Sequence, residues 1–309
     1  MNTPCRVAIL LCTHNGDKYL NDQLDSIVNQ KLNSWKIFAS DDGSSDGTSK
    51  ILKRFQDNHG LDRIEIYDGP CRGSSKNFLF VLNMAGESYD YYVFCDQDDK
   101  WDVNKLTVAI SVLGRSDEAV PSLYCGSSRY VTVDGGYLQN SYIFKNPPSF
   151  KNALVQSIAG GNTMVFNQQA AKLLSRTPMH NSLIAHDWWL YILITAYSGY
   201  VFYDEVPHLD YRQHSEALVG ENRTFRAKAV RIKKLLDGRF QRWNDENLRV
   251  LNTFQLEICR ENQLTLKYFQ IIKSGSIYQR IYAFFKSGIR RQTLVGNIAL
   301  IFAIIIRKI

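Results

Sequence analysis

The stretch "YYVFCDQDD" (residues 91–99) decides how this chain is read. Tyr91–Cys95 is an unbroken apolar run of strand length, the pattern of a strand buried on both faces. It ends in three carboxylates, Asp96, Asp98 and Asp99. In open α/β sheets ligands bind just beyond the carboxyl ends of the strands. Carboxylates gathered there repel one another unless a cation or a donor-rich ligand compensates. Their hard oxygens suit Mg²⁺ or Mn²⁺, ions that share their shell with substrate phosphates. In isolation the same cluster reads equally as a solvated acidic turn.

Outward from this run, short apolar segments alternate with helix-period segments. "VAILLC" (7–12), "KIFAS" (36–40) and "RIEIY" (63–67) read as strands. Residues 17–29, 46–55, about 74–85 and 102–113 read as helices, the third capped by Ser74 or Ser75. Strand–helix alternation with short connections predicts a doubly wound, parallel or mixed α/β sheet with helices on both faces. After residue 120, "SLYCG", "RYVTVD", "GGNTMVFN" (160–167) and "VFYDEV" (201–206) read as strands. Residues 187–197 read as a helix. From about 220 the chain is helical and basic, ending in "LVGNIALIFAIII" (294–306), 13 residues without a charge.

Composition sets the outer bounds. The chain has 309 residues, 45% hydrophobic and 22% charged, which excludes disordered, collagen-like and mucin-like classes. The net charge of +7 is unevenly spread. Residues 1–219 hold 19 Lys and Arg against 24 Asp and Glu, and residues 220–309 hold 18 against 6. This predicts a mildly acidic domain over 1–219 and a basic helical region over 220–309, facing different partners. The six cysteines show no CxxC or CxH spacing, which argues against a zinc site or a disulfide scaffold and favours a reducing cytosol. Val7–Cys12 is too short an apolar run for a signal peptide.

Two further polar clusters stand where the fold would put a ligand. The first strand leads into "THNG" (13–16) and the second into "DDGSSDGT" (41–48). Alone, the latter is a turn followed by a helix cap. In the order THNG, DDGSSDGT, DQDD, the chain resembles the family 2 glycosyltransferases, inverting sugar transferases of the GT-A fold. The resemblance covers about residues 5–220. His14 stands where that family has Tyr, and Trp101 and Lys105 follow DQDD as its metal-binding segment expects. "HDWW" (186–189) falls where the family places its catalytic base, and "YRQH" (211–214) where related enzymes place a late His.

The resemblance implies roles. Thr13 and Asn15 would line the nucleotide pocket, and Asp42, with Asp41 beside it, would accept a hydrogen bond from the pyrimidine N–H. Asp96 and Asp98 would contact ribose and metal, with Asp99 alongside. Gly160, Gly161 and Asn162 would form a floor beneath the donor sugar. His214 would contact metal or diphosphate, or else be a buried His with no ligand. Asp187 would be the catalytic base, since an acceptor hydroxyl needs a carboxylate to take its proton as the new bond forms. It opens a helix, whose N-terminus favours its charged form. The bland alternative is a first-turn helix acid. Trp188 and Trp189 read either as an acceptor-sugar platform or as core.

The basic region mixes Ile, Tyr and Phe with Lys and Arg over residues 277–291, the composition of a helix in a membrane interface. The terminal apolar run would span about 20 Å as a helix, short of a bilayer core of about 30 Å. A monotopic anchor on anionic lipid fits better than a span, and a packed helical domain is the competing reading. No nucleic-acid motif is present, so nucleic acid is not an expected partner. The expected function is metal-dependent sugar transfer, with Mn²⁺ or Mg²⁺, from a nucleoside-diphosphate sugar donor to a lipid-linked saccharide acceptor. The expected place is peripheral, at the cytoplasmic face of a bacterial inner membrane, in surface polysaccharide assembly. The motif set looks most like the rhamnosyltransferase-like branch, implying dTDP-rhamnose, with a UDP-hexose the other donor. The alternatives from other classes are a nucleotidyltransferase, which would want a Gly-rich basic loop in place of THNG, and a non-catalytic saccharide- or lipid-binding scaffold.

Overall fold

The computed structural model describes residues 5–178, 185–213, 238–254 and 257–309. The core of the fold is four parallel strands: β1 (Val7–Thr13), β2 (Trp35–Asp41), β3 (Ile64–Asp68) and β4 (Tyr91–Cys95). The helices α1 (Leu20–Val28), α2 (Thr48–His59) and α3 (Ser74–Ala85) connect them. Beyond β4 come β5 (Lys100–Trp101), α4 (Lys105–Leu113), β6 (Ser122–Gly126), β7 (Arg129–Val131), β8 (Tyr137–Asn140) and the short α5 (Phe150–Ala153). Then follow β9 (Val165–Asn167), α6 (Gln168–Ser175), α7 (His186–Ala196), β10 (Tyr200–Asp204) and β11 (Leu209–Arg212).

The main sheet has seven strands in the order β10-β6-β9-β4-β1-β2-β3. β9 is antiparallel to both neighbours, so the sheet is mixed. A second sheet, β5-β11-β7-β8, lies across the same end of the molecule as DQDD, because β5 continues directly from that segment. β1 and β4 are buried on both faces over Val7–Leu11 and Tyr92–Cys95, as their unbroken apolar runs require. Odd and even residues of β1 feed two separate cores, one on each face of the sheet. Cys12 and Cys95 are buried in this packing, and all six cysteines are free thiols.

Two local readings are corrected. Residues 160–167 are not one strand: Gly161–Thr163 form a 3₁₀ turn, and only Val165–Asn167 pair in the sheet. Thr163 closes the turn by donating through both N–H and Oγ1 to the Gly160 carbonyl, at 3.0 and 2.8 Å. α3 has no serine cap. It follows Gly73, whose φ of 86° is a left-handed entry that a side-chain-bearing residue resists.

The last helices are α8 (Arg239–Asn252), α9 (Arg260–Ser274), α10 (Ile277–Ser287) and α11 (Leu294–Ile305). Leu248, Leu251, Phe254, Phe269, Leu300 and Ile304 join the core that contains Trp188, Trp189 and Leu190 of α7. Asn262 donates to the Thr195 and Ala196 carbonyls at 2.9 and 3.0 Å, satisfying the free end of α7. Among the described residues no helix is long and apolar enough to cross a membrane.

Candidate active site

The parallel register aligns the ends of β1, β2 and β4, pairing Thr13 with Asp41 and Leu11 with Cys95. The three polar segments therefore leave the sheet side by side. Asp41 is turned inward. Its Oδ1 accepts from Thr13 Oγ1 at 2.7 Å and Ser44 Oγ at 2.5 Å, and its Oδ2 from Ser49 Oγ at 3.2 Å. Thr13 and Asp41 are thus spent on holding the turn. Asn15, at a φ of 49°, accepts from the Ser45 N–H at 2.8 Å and locks the same turn from the opposite side.

Asp42 faces the other way. Its Oδ1 accepts from the Cys71 N–H at 2.6 Å and its Oδ2 from the Gly73 N–H at 2.9 Å. Each carboxylate oxygen has two lone pairs, so each keeps one for a ligand donor. Gln97 joins the first and third segments, accepting from the His14 N–H at 2.8 Å and donating to its carbonyl at 3.0 Å.

The four residues of DQDD divide by direction. Asp96 and Asp98 are half-buried at the rim, whereas Asp99 is 1% exposed. Asp99 Oδ2 accepts from Asn162 Nδ2 at 2.6 Å, and Asp99 Oδ1 has no partner. Lys105 is also 1% exposed, with its ammonium donating to the Asn162 carbonyl and lying 4.0 Å from the Trp101 ring centroid. Two buried side chains, an acid and a lysine, thus hold the 3₁₀ turn from below.

The electrostatics follow from this crowding. Burial pushes the Asp96 carboxyl up to about 7, and the charges of Asp98 and Asp187 add to the shift. Burial, then Asp98 and Asp96, hold Asp99 well above the usual carboxylate range. Burial lowers Lys105 to about 8, against the pull of Cys95, Asp99 and Asp96. Carboxylates strained by burial and by one another are a site that a cation relieves.

Of the three carboxylates from which the metal ligands are expected, Asp96 and Asp98 stand at the rim and Asp99 lies inward. Among the described residues no three His, Cys, Asp or Glu side chains converge enough to hold an ion. The chain bends at Gln97 and Asp98 between β4 and β5, and the bond from Asn162 holds Asp99 inward while Asp98 stays at the rim. The donor set still fits a divalent ion of the kind that takes one or two protein carboxylates and completes its shell with phosphate oxygens and water. His214 lies outside the described residues.

Asp187 sits at the first turn of α7, half-buried, with Oδ2 accepting from the Gly161 N–H at 3.1 Å. The Gly160–Asn162 turn is therefore pinned at both ends, by Asp187 above and by Asp99 with Lys105 below. Gly161 must be glycine: a Cβ there would meet His186 Nε2 at 2.6 Å. His186 is stacked on Phe78 at 3.9 Å between ring centroids and is edge-on to Phe94, with Nε2 unpartnered. Burial lowers its pKa to about 4, so it is neutral. Trp188 and Trp189 are core and not an acceptor platform. They are 5% and 0% exposed, with their indole N–H groups on the Ala153 carbonyl at 2.7 Å and Thr177 Oγ1 at 2.9 Å.

Three positioning residues carried no signal that local sequence reading could catch. Gln97 sits between the aspartates, and only the β1–β4 register shows that it clamps His14. Arg212, in YRQH, donates to the Asp98 carbonyl at 3.3 Å and to Asp22 Oδ2 at 2.8 Å. The third is the Cys71–Gly73 backbone that holds Asp42.

A model of the family described as Glycosyl transferase family 2 matches residues 8–176, more than half of the chain. Among curated proteins, the dTDP-rhamnosyl transferase RfbG of Shigella flexneri is 31% identical over 235 residues, covering 72% of this chain and 78% of that one. The Escherichia coli UDP-Glc:alpha-D-GlcNAc-diphosphoundecaprenol beta-1,3-glucosyltransferase WfgD is 22% identical over 189 residues, covering 61% and 69%. The solved structure of S. aureus TarS 1–349 superposes with a TM-score of 0.54 at 15% identity, covering 91% and 90%. With the mixed sheet and its acidic rim, these likenesses make the chain a member of glycosyltransferase family 2, an enzyme of GT-A architecture.

Proposed function

We propose that the enzyme moves a sugar, with inversion, from a nucleoside diphosphate to a hydroxyl of a lipid-linked saccharide in bacterial surface polysaccharide assembly. The observation that carries this reading is the Asp187 carboxylate, held at 3.1 Å by the Gly161 N–H at the start of α7, on a different element from the DQDD rim. Inverting transfer needs such a pair of stations, one for the leaving diphosphate and one for the attacking hydroxyl.

In this reading Asp42 accepts the pyrimidine N–H, and Asp96 and Asp98 hold Mn²⁺ or Mg²⁺ against the diphosphate. When bound, the ion offsets the negative charge that grows on the leaving diphosphate. The Gly160–Asn162 turn forms the floor beneath the donor sugar. Asp187 Oδ atoms take the acceptor proton as its oxygen reaches the anomeric carbon from the face opposite the diphosphate. The Gly161 N–H holds that carboxylate in place and favours its ionised form.

The likeness to RfbG supports dTDP-rhamnose as donor, and the likeness to WfgD supports a diphosphate-lipid saccharide as acceptor with UDP-glucose as the second donor. A lipid-linked acceptor puts the working position at the cytoplasmic face of the inner membrane. The test is slow donor hydrolysis: incubation with Mn²⁺ and dTDP-rhamnose or UDP-hexoses, with nucleoside diphosphate release as readout. Release from dTDP-rhamnose, lost in Asp98→Ala, is the expected result. Release of pyrophosphate from nucleotide triphosphates instead would indicate a nucleotidyltransferase.

A further inference from the structure

We propose that the α10–α11 hairpin is a membrane-docking face that lies flat on an anionic lipid surface. The proposal rests on the lipid-linked acceptor reading above and specifies which part of the protein meets the lipid.

The two helices are antiparallel. The guanidinium of Arg280, near the start of α10, donates to the Ile304 carbonyl at the end of α11. Both bury one side in the same core, through Ala283 on α10 and Leu300 and Ile304 on α11. Their other sides carry large apolar residues into solvent. Tyr278 and Phe285 are 83% and 75% exposed, and Leu294 and Val295 are 78% and 77% exposed. Ten of the twenty exposed large apolar side chains among the described residues lie on these two helices. They recur at helical spacing, as in Tyr278, Tyr282 and Phe285 or Leu294, Ile298 and Phe302, so each helix presents a stripe. Contiguous exposed apolar surface of this kind marks an interaction site.

Charge identifies the occupant. Residues 277–309 contain six Lys and Arg and no Asp or Glu. Arg280 is turned inward, but Lys286, Arg290 and Arg307 are exposed. An apolar stripe bordered by cations, with no acid on either helix, complements anionic headgroups over acyl chains. A second copy of this chain would bring the same cations against themselves. A span is excluded for these two helices: α11 has 12 residues, about 18 Å of helix against about 30 Å of hydrocarbon.

The face is also coupled to the acceptor side of the site. Gln292, between the two helices, exchanges three hydrogen bonds with Asn146 and donates its backbone N–H to Gln156 Oε1 at 2.8 Å. Asn152 donates to the Arg290 carbonyl at 3.0 Å. That same 146–156 segment supplies the Ala153 carbonyl that holds Trp188, the neighbour of Asp187. A lipid surface against the hairpin is thus fixed relative to the proposed base by a short chain of hydrogen bonds.

The test is co-sedimentation of the full chain with vesicles of phosphatidylcholine alone, or of equal parts phosphatidylcholine and phosphatidylglycerol. The wild type is expected to bind the anionic vesicles. Phe285→Asp/Val295→Asp/Ile298→Asp, all at exposed positions, should lower binding roughly tenfold or more. Lys286→Gln/Arg290→Gln should lose the preference for anionic vesicles and its salt sensitivity. Thermal unfolding confirms that each variant is folded. Equal binding by wild type and the triple variant overturns the proposal, as does no binding by the wild type. A wild-type dimer that the triple variant dissolves overturns it too, in favour of a second copy as occupant. Donor hydrolysis measured on the same samples separates the two readings: vesicle binding without hydrolysis keeps the docking face and sinks the transferase chemistry, and hydrolysis without vesicle binding does the reverse.

Discussion

The Asp187 carboxylate and the Gly161 backbone N–H are joined by a 3.1 Å hydrogen bond across 26 residues of sequence. This contact makes α7 and the 3₁₀ turn one unit, so the candidate base and the floor of the sugar pocket move together. It also leaves a second Asp187 lone pair on the bonded oxygen to meet an acceptor hydroxyl.

Replacing Asp187 with Asn preserves size and the bond from Gly161 but removes proton acceptance. Transfer is expected to fall by roughly 10²–10⁴-fold, the usual worth of a general base. Donor affinity, measured by calorimetry, should change little. Near-normal transfer would assign the base elsewhere.

Asp98 and Asp99 should separate cleanly. Asp98→Ala is expected to abolish Mn²⁺-dependent donor binding with the fold intact, because its side chain is at the rim. Asp99→Asn should keep that metal dependence, since the Asp99 side chain is committed to Asn162. Titration of each variant with Mn²⁺ in the presence of nucleoside diphosphate decides it. Loss of metal response in both would return Asp99 to the ligand set.

Lys105 and Asp99 are both buried and both hold Asn162, the ammonium donating to its carbonyl and the carboxyl accepting from its Nδ2. Lys105→Met removes the donor from the buried Asn162 carbonyl and the cation nearest Asp99, and leaving a buried polar group unpaired costs about 1–3 kcal/mol. Chemical denaturation should show that loss, with part of it recovered in Lys105→Met/Asp99→Asn. A variant as stable as wild type would show that the two charges do not depend on each other.

His186 should make stability fall with acid. Its folded pKa is lowered to about 4 by burial, against 6.5 for the solvent-exposed imidazole of the unfolded chain, so the native state stays neutral where the unfolded chain takes up a proton. Its contribution is complete above about pH 6.5 and is lost as pH falls toward 4, on the order of 3 kcal/mol in all. His186→Phe keeps an aromatic ring between Phe78 and Phe94 and cannot titrate. The stability gap between wild type and variant, followed by denaturation from pH 7.5 to 4.5, should therefore shift against wild type as pH drops. A gap constant with pH would show that the ring titrates normally.

Much of the framework was legible from local pattern. The runs at 7–12, 36–40, 63–67 and 91–95 are strands within one residue of those bounds; the two central ones, β1 and β4, are the unbroken apolar runs that burial on both faces needs. Their ends placed THNG, DDGSSDGT and DQDD at one rim, since parallel strands share a carboxyl end. The terminal apolar run is a helix, as read, but residues 160–167 split into turn and strand around the glycine pair. Deleting the chain after Lys273, a natural test of a tail read from sequence, would remove Leu300, Ile304 and Ile309 from the core, so point changes on the exposed face are the sound probe.

What the sequence by itself determined is the fold family, the strand order's acidic edge and the identity of the residues available for chemistry. These depend on periodicity and on residue type, which are local properties. Only the tertiary structure decided which way each of those residues faces: Asp98 out and Asp99 in, Trp188 and Trp189 into the core, Asp41 into its turn, and α10 and α11 with one apolar side buried and the other bare. Those outcomes rest on tertiary partners: Asp99 with Asn162, 63 positions away, Trp188 with Ala153, 35 away, and Asp41 with Thr13, 28 away. The direction of a side chain is set by the free energy of such distant pairings, and no local pattern records them.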